Sequence, residues 1–297
     1  EAIKGLLWAS GSIFLTQSIN FIIKIFLARL LFPSDFGLFA MAFILIGFLN
    51  IFTGFGIGSA IIYRKDNLNK ILNAAFFVAP AIGILLYISG FLLSDVVSSF
   101  FNQTMLSPMI KIIALSFVID SFVVVPQSFL TKKLYFKERS IAESLPIFVY
   151  GGAAIFLAYF GFGVWSLVLS HLAQHIAWAL LLWYFCPWKP QLAFDWRITK
   201  EILHFGKYVF SAAFLSFLIN YIDNALIGKK LGDNSLGYYS FAFNIAALPV
   251  IGFTHLICGV FHPIYSKLQN NKVKLRESYV LSLKLITLIM LPISAVC

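Results

Sequence analysis

The chain has 297 residues, of which 60% are hydrophobic, 17% aromatic and only 11% charged, where an ordinary soluble domain carries about 25% charge. Its net charge of +10 therefore sits on a background too apolar for a soluble enzyme or a nucleic-acid-binding domain. Such a composition defines a polytopic membrane protein, and with no signal peptide in view the first apolar run is read as a span.

A hydrocarbon core about 30 Å thick takes about 20 residues of helix. Windows of that size predict nine spans, at about 6–28, 36–62, 71–93, 107–130, 141–160, 163–186, 202–227, 235–262 and 278–297. The links between them are short. The chain starts at Glu1 and stops at Cys297 inside an apolar run, so a fragment of a longer protein is expected.

The stretch from Phe26 to Asp66 occurs twice. At an offset of 200 positions Ala28 and Arg29 fall on Gly228 and Lys229, Leu31 on Leu231, Gly37 on Gly237, Phe39 on Tyr239, and Ala42 and Phe43 on Ala242 and Phe243. Asn20 falls on Asn220 at the same offset. A self-match at this distance implies two copies of one structural unit. Six spans separate the copies, and an even number returns the chain to the same side, so the repeats are parallel. The expected fold is all-α, a polytopic membrane helix bundle of two pseudo-symmetric lobes. Residues 1–190 form the six-helix first lobe, and 191–297 the first three helices of a truncated second lobe.

Basic residues set the orientation. Lys4, Arg64, Lys65, Lys70, Lys132, Lys133, Lys137, Arg139, Lys189, Arg197, Lys200, Lys267, Lys272, Lys274 and Arg276 fall in one set of loops, and only Arg29, Lys111, Lys229 and Lys230 in the alternate set. The rich set is cytoplasmic by the positive-inside rule, which puts the N-terminus inside. These runs read as topology signals and lipid-headgroup contacts, with nucleic acid excluded as a partner. Pro80, Pro126, Pro146, Pro249 and Pro292 lie in or near span interiors, where each removes a helix hydrogen bond.

Polar side chains inside spans are costly and carry the functional information. Gln17, Asn20 and Lys24 share one face of the first span, and Ser216, Asn220, Asp223 and Asn224 one face of the seventh, its repeat partner. Two equivalent helices with polar stripes are most simply explained by a central cavity between the lobes. Ser116, Asp120 and Gln127 stripe the fourth span, His171, Gln174 and His175 the sixth, and Asn244, His255 and His262 the eighth. An intramembrane His or Asp of this kind is suited to carrying a coupled proton. A single such residue also serves as an interhelical hydrogen bond worth about 0.6 kcal/mol, which is the plainer reading.

Chemical motifs fail on inspection. Gly54, Gly56 and Gly58 do not lie between a strand and a helix, and read as small residues that let helices approach. No phosphate-binding Walker loop occurs, and His171 and His175 lack the intervening Glu of a zinc helix. Cys186, Cys258 and Cys297 have neither metal-ligand nor disulfide spacing. No metal and no cofactor is expected, and no enzyme.

The segments LARLLFPSDFGLFAMA and GFGIGSAIIYRKD, VPQSFLTKKLYFKERSIAE, GFGVWSLV and IDNALIGKKLGDNSLGYYSFAFNIAALPV, in that order over nearly the whole chain, resemble the polysaccharide transporter family. These are the Wzx-type lipid-linked oligosaccharide flippases of the multidrug/oligosaccharidyl-lipid/polysaccharide exporter superfamily. The resemblance implies a bundle of twelve or more helices in two lobes in the bacterial cell membrane. It implies a cargo of undecaprenyl-diphosphate-linked sugar repeat units and alternating access coupled to a proton or sodium gradient. On this sequence it implies cationic cavity roles for Lys24 and Arg29, with Asp223 as acidic partner or proton carrier. The substrate cavity is accordingly expected at Gln17, Asn20, Lys24, Arg29, Asp120, Asn220, Asp223 and Asn224. The alternatives are a drug or organic-cation exporter of the same superfamily, which would want an acidic cavity where Lys24 stands, and a membrane enzyme of glycan assembly, which usually needs a large external loop.

Overall fold

The computed structural model describes residues 2–53, 57–63, 68–190, 214–247 and 272–296, and no strand occurs among them. Gly54, Gly56, Arg64, Lys65, Arg197, Lys200, Pro249, His255, Cys258, His262, Lys267 and Cys297 lie outside the described residues, as do the start of the seventh expected span and the end of the eighth. The helices in chain order are α1 (Ala2–Leu30), α2 (Pro33–Thr53), α3 (Ile57–Tyr63), α4 (Leu68–Phe101), α5 (Leu106–Ile113), α6 (Leu115–Ser121), α7 (Val124–Lys132), α8 (Phe136–Ser144), α9 (Pro146–Tyr159) and α10 (Val164–Phe185). Residues 214–247 are helical and are called α11 here, and α12 is Lys272–Val296.

Pro33–Thr53, Leu68–Phe101, Phe136–Tyr159 and Val164–Phe185 are each long and apolar enough to cross a membrane, and Leu106–Ser121 with Val124–Lys132 form a pair bent by 41° that is long and apolar enough when taken together. They overlap the second to sixth expected spans, and α1 the first; the second, expected over 36–62, ends as a helix at Thr53, with Ile57–Tyr63 a separate helix. Large apolar side chains such as Leu85, Leu92, Phe156 and Tyr184 stand on the outside of the helices, more than half exposed. On a soluble protein so much exposed apolar surface would be a liability; in a bilayer it is the lipid-facing side.

Pro80 lies inside α4, and Pro146 inside the span Phe136–Tyr159, where α8 runs on into α9, as expected. Pro126 falls in the first turn of α7, just after the bend. A helix start has no partner for that N–H in any case, so Pro126 begins its helix at little cost.

Between helices in lipid there is little hydrophobic driving force, and close packing of small residues replaces it. One cluster joins α2, α4, α5, α6 and α10 around Met41, Ile110 and Ile113, all fully buried. A second joins α3, α4 and α7 around Ile61, Leu72 and Leu130. Ile23 and Leu27 of α1 bury against α9 and α10 in a third. Glycines allow these approaches. A Cβ on Gly83 would lie 2.6 Å from the Phe117 carbonyl oxygen, and one on Gly58 3.1 Å from the Ser128 hydroxyl, so Gly58 does serve helix approach as its sequence setting suggested.

The loop expected at 228–234 contracts to a turn within α11. Gly232 has φ +81°, a backbone conformation natural to glycine, and a Cβ there would meet nothing. The chain folds back at this point: Tyr239 donates its hydroxyl hydrogen to Asp223, whereas 16 residues of straight helix would separate the two by about 24 Å.

The repeat seen in sequence is a repeat in space. A Cβ on Gly37 would overlap the carbonyl oxygen of Asp233, and a Cβ on Gly237 would overlap that of Pro33. Positions 33 and 37 are related to 233 and 237 by the same offset of 200. Each copy therefore sets its glycine on the other copy's backbone, the reciprocity of a two-fold axis. Around this seam Phe36 packs on Phe241 at 5.2 Å between ring centroids, and Lys229 sits over the Phe100 ring while donating to the Phe100 carbonyl.

Candidate transport site

The α1 stripe is half-buried at Gln17, Asn20 and Lys24, on a helix that packs against α8 and α9. Arg29 is exposed in the last turn of α1. There a cation meets the negative end of the helix dipole, a role that needs no ligand.

The α11 stripe is more elaborate. Asn220 donates its amide to the Ser216 carbonyl at 2.7 Å and Asn224 to the Asn220 carbonyl at 3.3 Å. The Asp223 carboxylate accepts from its neighbour Asn224's backbone N–H at 2.8 Å and from the Tyr239 hydroxyl. The side-chain oxygen of Asn224 is buried without a hydrogen-bond partner among the described residues, an arrangement that costs about 1–3 kcal/mol unless something occupies it.

Asp120 belongs to a different place. It lines a cavity of about 480 Å³ inside the first lobe, walled also by Asn50, Gly83, Gln127, His175 and Trp178. His175 Nδ1 lies 2.5 Å from Asp120 Oδ1, with the two side chains 19% and 26% exposed. The His171 ring lies 4.3 Å from that of His175, and its other side is edged by Phe43 at 5.1 Å. A smaller recess shares Gln127, His175 and Trp178 with this cavity and adds Glu143 and Gln174. On its wall Glu143 accepts from Gln127 at 3.0 Å and from Arg139 at 2.7 Å, and Arg139 also donates to the Thr131 hydroxyl at 3.0 Å. Trp178 Nε1 is buried with no hydrogen-bond partner among the described residues.

The expected cavity residues thus fall into separate groups rather than a single set. Asn220, Asp223 and Asn224 meet one another and Tyr239, while Asp120 meets His175. Trp178 and Tyr239 are the residues that sequence reasoning missed. Trp178 had a readable signal, since it follows His171 and His175 at helical spacing on one face of α10. Among the described residues no group of His, Cys, Asp and Glu is arranged to hold a metal ion. Cys186 is a buried free thiol.

Two helical repeats meeting at a reciprocal seam, with polar groups held inside apolar helices, define an all-helical membrane bundle. The solved structure of the MATE multidrug transporter DinF-BH is similar to this chain with a TM-score of 0.71 at 18% identity, over 99% of this chain and 71% of that one. Residues 26–297 match the family described as "Polysaccharide biosynthesis protein", and the chain belongs to that family. It is 24% identical over 294 residues to the lipopolysaccharide biosynthesis protein WzxC of Escherichia coli strain K12, covering 98% of this chain and 60% of the relative. It is 27% identical over 251 residues to the teichuronic acid biosynthesis protein TuaB of Bacillus subtilis strain 168, covering 83% and 51%. The chain therefore spans a little over half the length of these relatives.

Proposed function

We propose that this chain is part of a transporter that moves undecaprenyl-diphosphate-linked oligosaccharide repeat units across the bacterial cell membrane for polysaccharide biosynthesis, by alternating access. Membership of the polysaccharide biosynthesis family supports a cargo of that class. The observation that carries the mechanism is the reciprocal seam between Gly37 and Gly237. Alternating access needs two bodies that close tightly at one end and part there again, and backbones meeting through glycine, flanked by the Phe36–Phe241 contact, support such a closure.

The polar cargo sets the energetic problem. Each unsatisfied polar group of a sugar costs several kcal/mol in hydrocarbon, so a path between lobes must supply partners while the lipid tail stays in the bilayer. In this reading residues 1–190 and 191–297 belong to the two lobes, the N-terminus is cytoplasmic and the membrane is the inner one. Gln17, Asn20 and Lys24 face the path from one side and Asn220, Asp223 and Asn224 from the other. Lys24 offers a point charge to the diphosphate, and Arg29 a bidentate fork at the end of the same helix. The work is transport, with no covalent step, and a proton or sodium gradient drives it.

The test is complementation of a strain lacking its own flippase with the full-length gene. Restored surface glycan, together with disappearance of the lipid-linked repeat unit accumulated on the inner leaflet, is expected. Unrestored glycan with resistance to rhodamine or ethidium gained would assign drug export instead.

A further inference from the structure

We propose that the Asp120–His175 pair is a proton-binding site of the first lobe. A proton from the cavity would bind the imidazole while its other nitrogen stays hydrogen-bonded to the carboxylate. The inference rests on the transporter reading and assigns that reading's coupling ion to two residues.

The geometry carries it. His175 Nδ1 lies 2.5 Å from Asp120 Oδ1, and a carboxylate at that distance requires the proton on Nδ1, with N–H donating to Oδ1. The remaining nitrogen, Nε2, then holds a lone pair, and the pair as a whole carries one negative charge. Binding a proton at Nε2 makes it a neutral ion pair, Asp⁻ with His⁺. Releasing that proton to water restores the negative pair, so one proton is taken up and returned with no other reactant. A negative charge inside a span is costly and a compensated pair much less so, so proton occupancy changes what the first lobe can tolerate around its cavity.

Among the described residues, the surroundings leave this charge to the pair alone. From its own helix, His171 faces His175 at 4.3 Å between rings, and two imidazolium charges that close would repel, so the two rings are not charged together. From α8, Glu143 faces the adjoining recess and is neutralised by Arg139 at 2.7 Å. On α7, Lys132 is turned to the Ile61 carbonyl at 2.6 Å. Lys111 of α5 pairs with Asp95 of α4 at 3.3 Å, and Asp35 of α2 accepts from the Phe32 N–H at the α1–α2 turn, both away from the cavity lining. The α9 helix contributes no charged side chain.

A purely structural pair would be better served by two amides, which cost less to bury. Here instead the pair stands on the wall of a cavity of about 480 Å³, beside a Trp178 Nε1 with no partner among the described residues. The indole and the His175 ring lie 6.1 Å apart. That neighbour provides the readout, because an imidazolium near an indole quenches its fluorescence.

The experiment compares emission of the purified full-length protein in nanodiscs with that of Trp178→Phe, from about pH 5 to 8, the window in which histidine charge changes are commonest. The difference isolates Trp178. It is expected to brighten about twofold as pH rises and the imidazole discharges. The change should be absent in His175→Gln and diminished in Asp120→Asn, since the counter-charge that holds the proton is gone. A Trp178 signal flat across the range in the unaltered protein overturns the proposal, as does a titration that survives in His175→Gln. The first of these needs no variant of the pair, so misfolding of the single mutants does not shield the idea. The Asp120→Asn/His175→Gln double variant, which keeps a neutral hydrogen-bonded pair, checks that loss of titration is not loss of fold. No cargo enters the measurement, so its failure is separate from failure of the glycan complementation.

Discussion

The seam and the polar sites obey the internal repeat to different degrees. At the seam the two copies are interchangeable: Gly37 sits on the 233 carbonyl and Gly237 on the 33 carbonyl, each with no room for a Cβ. Away from it the copies diverge. Asp223 and Tyr239 form a hydrogen-bonded pair in α11, and their counterparts at the offset of 200, Ile23 and Phe39, belong to an apolar cluster. Ile23 is so tightly held that a Cβ on Gly151 would come within 2.7 Å of its Cγ1. One fold therefore accommodates either pair at these positions, and architecture does not require a carboxylate there. Symmetry is kept where the two copies touch through glycine, and given up at the positions of Asp223 and Tyr239.

The largest effect is expected at the seam. Gly37→Leu and Gly237→Leu each drive a side chain into backbone, an overpacking cost of about 1–3 kcal/mol or more. Both should abolish surface glycan in complementation while the protein remains in the membrane, and to the same extent. Unequal losses would break the equivalence of the two copies.

Asp223→Asn should come next, with about a tenfold loss of export if the charge is what distinguishes the second lobe. Tyr239→Phe removes one hydrogen bond to a charged group, worth about 1.5–3 kcal/mol, and should fall between Asp223→Asn and the parent. Normal glycan in both would leave the asymmetry without functional content. Lys24→Ala should follow with a several-fold loss. Arg29→Gln should do less, because an exposed charge at a helix end contributes only about 0.3–1 kcal/mol. The same surface-glycan assay separates these two cations. Smallest of all, Lys229→Met loses a cation–π contact worth about 0.5–1 kcal/mol, and should lower the Tm of the purified protein slightly without affecting export.

Much of the fold was legible because its signals are local or periodic. Span length follows from apolar runs, and the repeat from a gap-free self-match that includes both seam glycines. The proline at 126 misleads because a proline that starts a helix and one that kinks it look alike inside an apolar run. The turn at Gly232 misleads for a similar reason: charged residues such as Lys229, Lys230 and Asp233 suggest a wide loop, yet here they flank a single reversal. Partnerships were the least legible part. Asp120 and His175 are 55 residues apart, and Asp223 and Tyr239 are 16 apart across a reversal, so no helical periodicity links either pair.

The two glycine contacts also bear on descent. A patch that fits its own image is what a symmetric homodimer displays, with residue i touching j and j touching i. A single ancestral module, before gene duplication, would already have owned the complete joint. Fusion of two such modules then freed the copies to specialise, and the Asp223 position is where that freedom can be read.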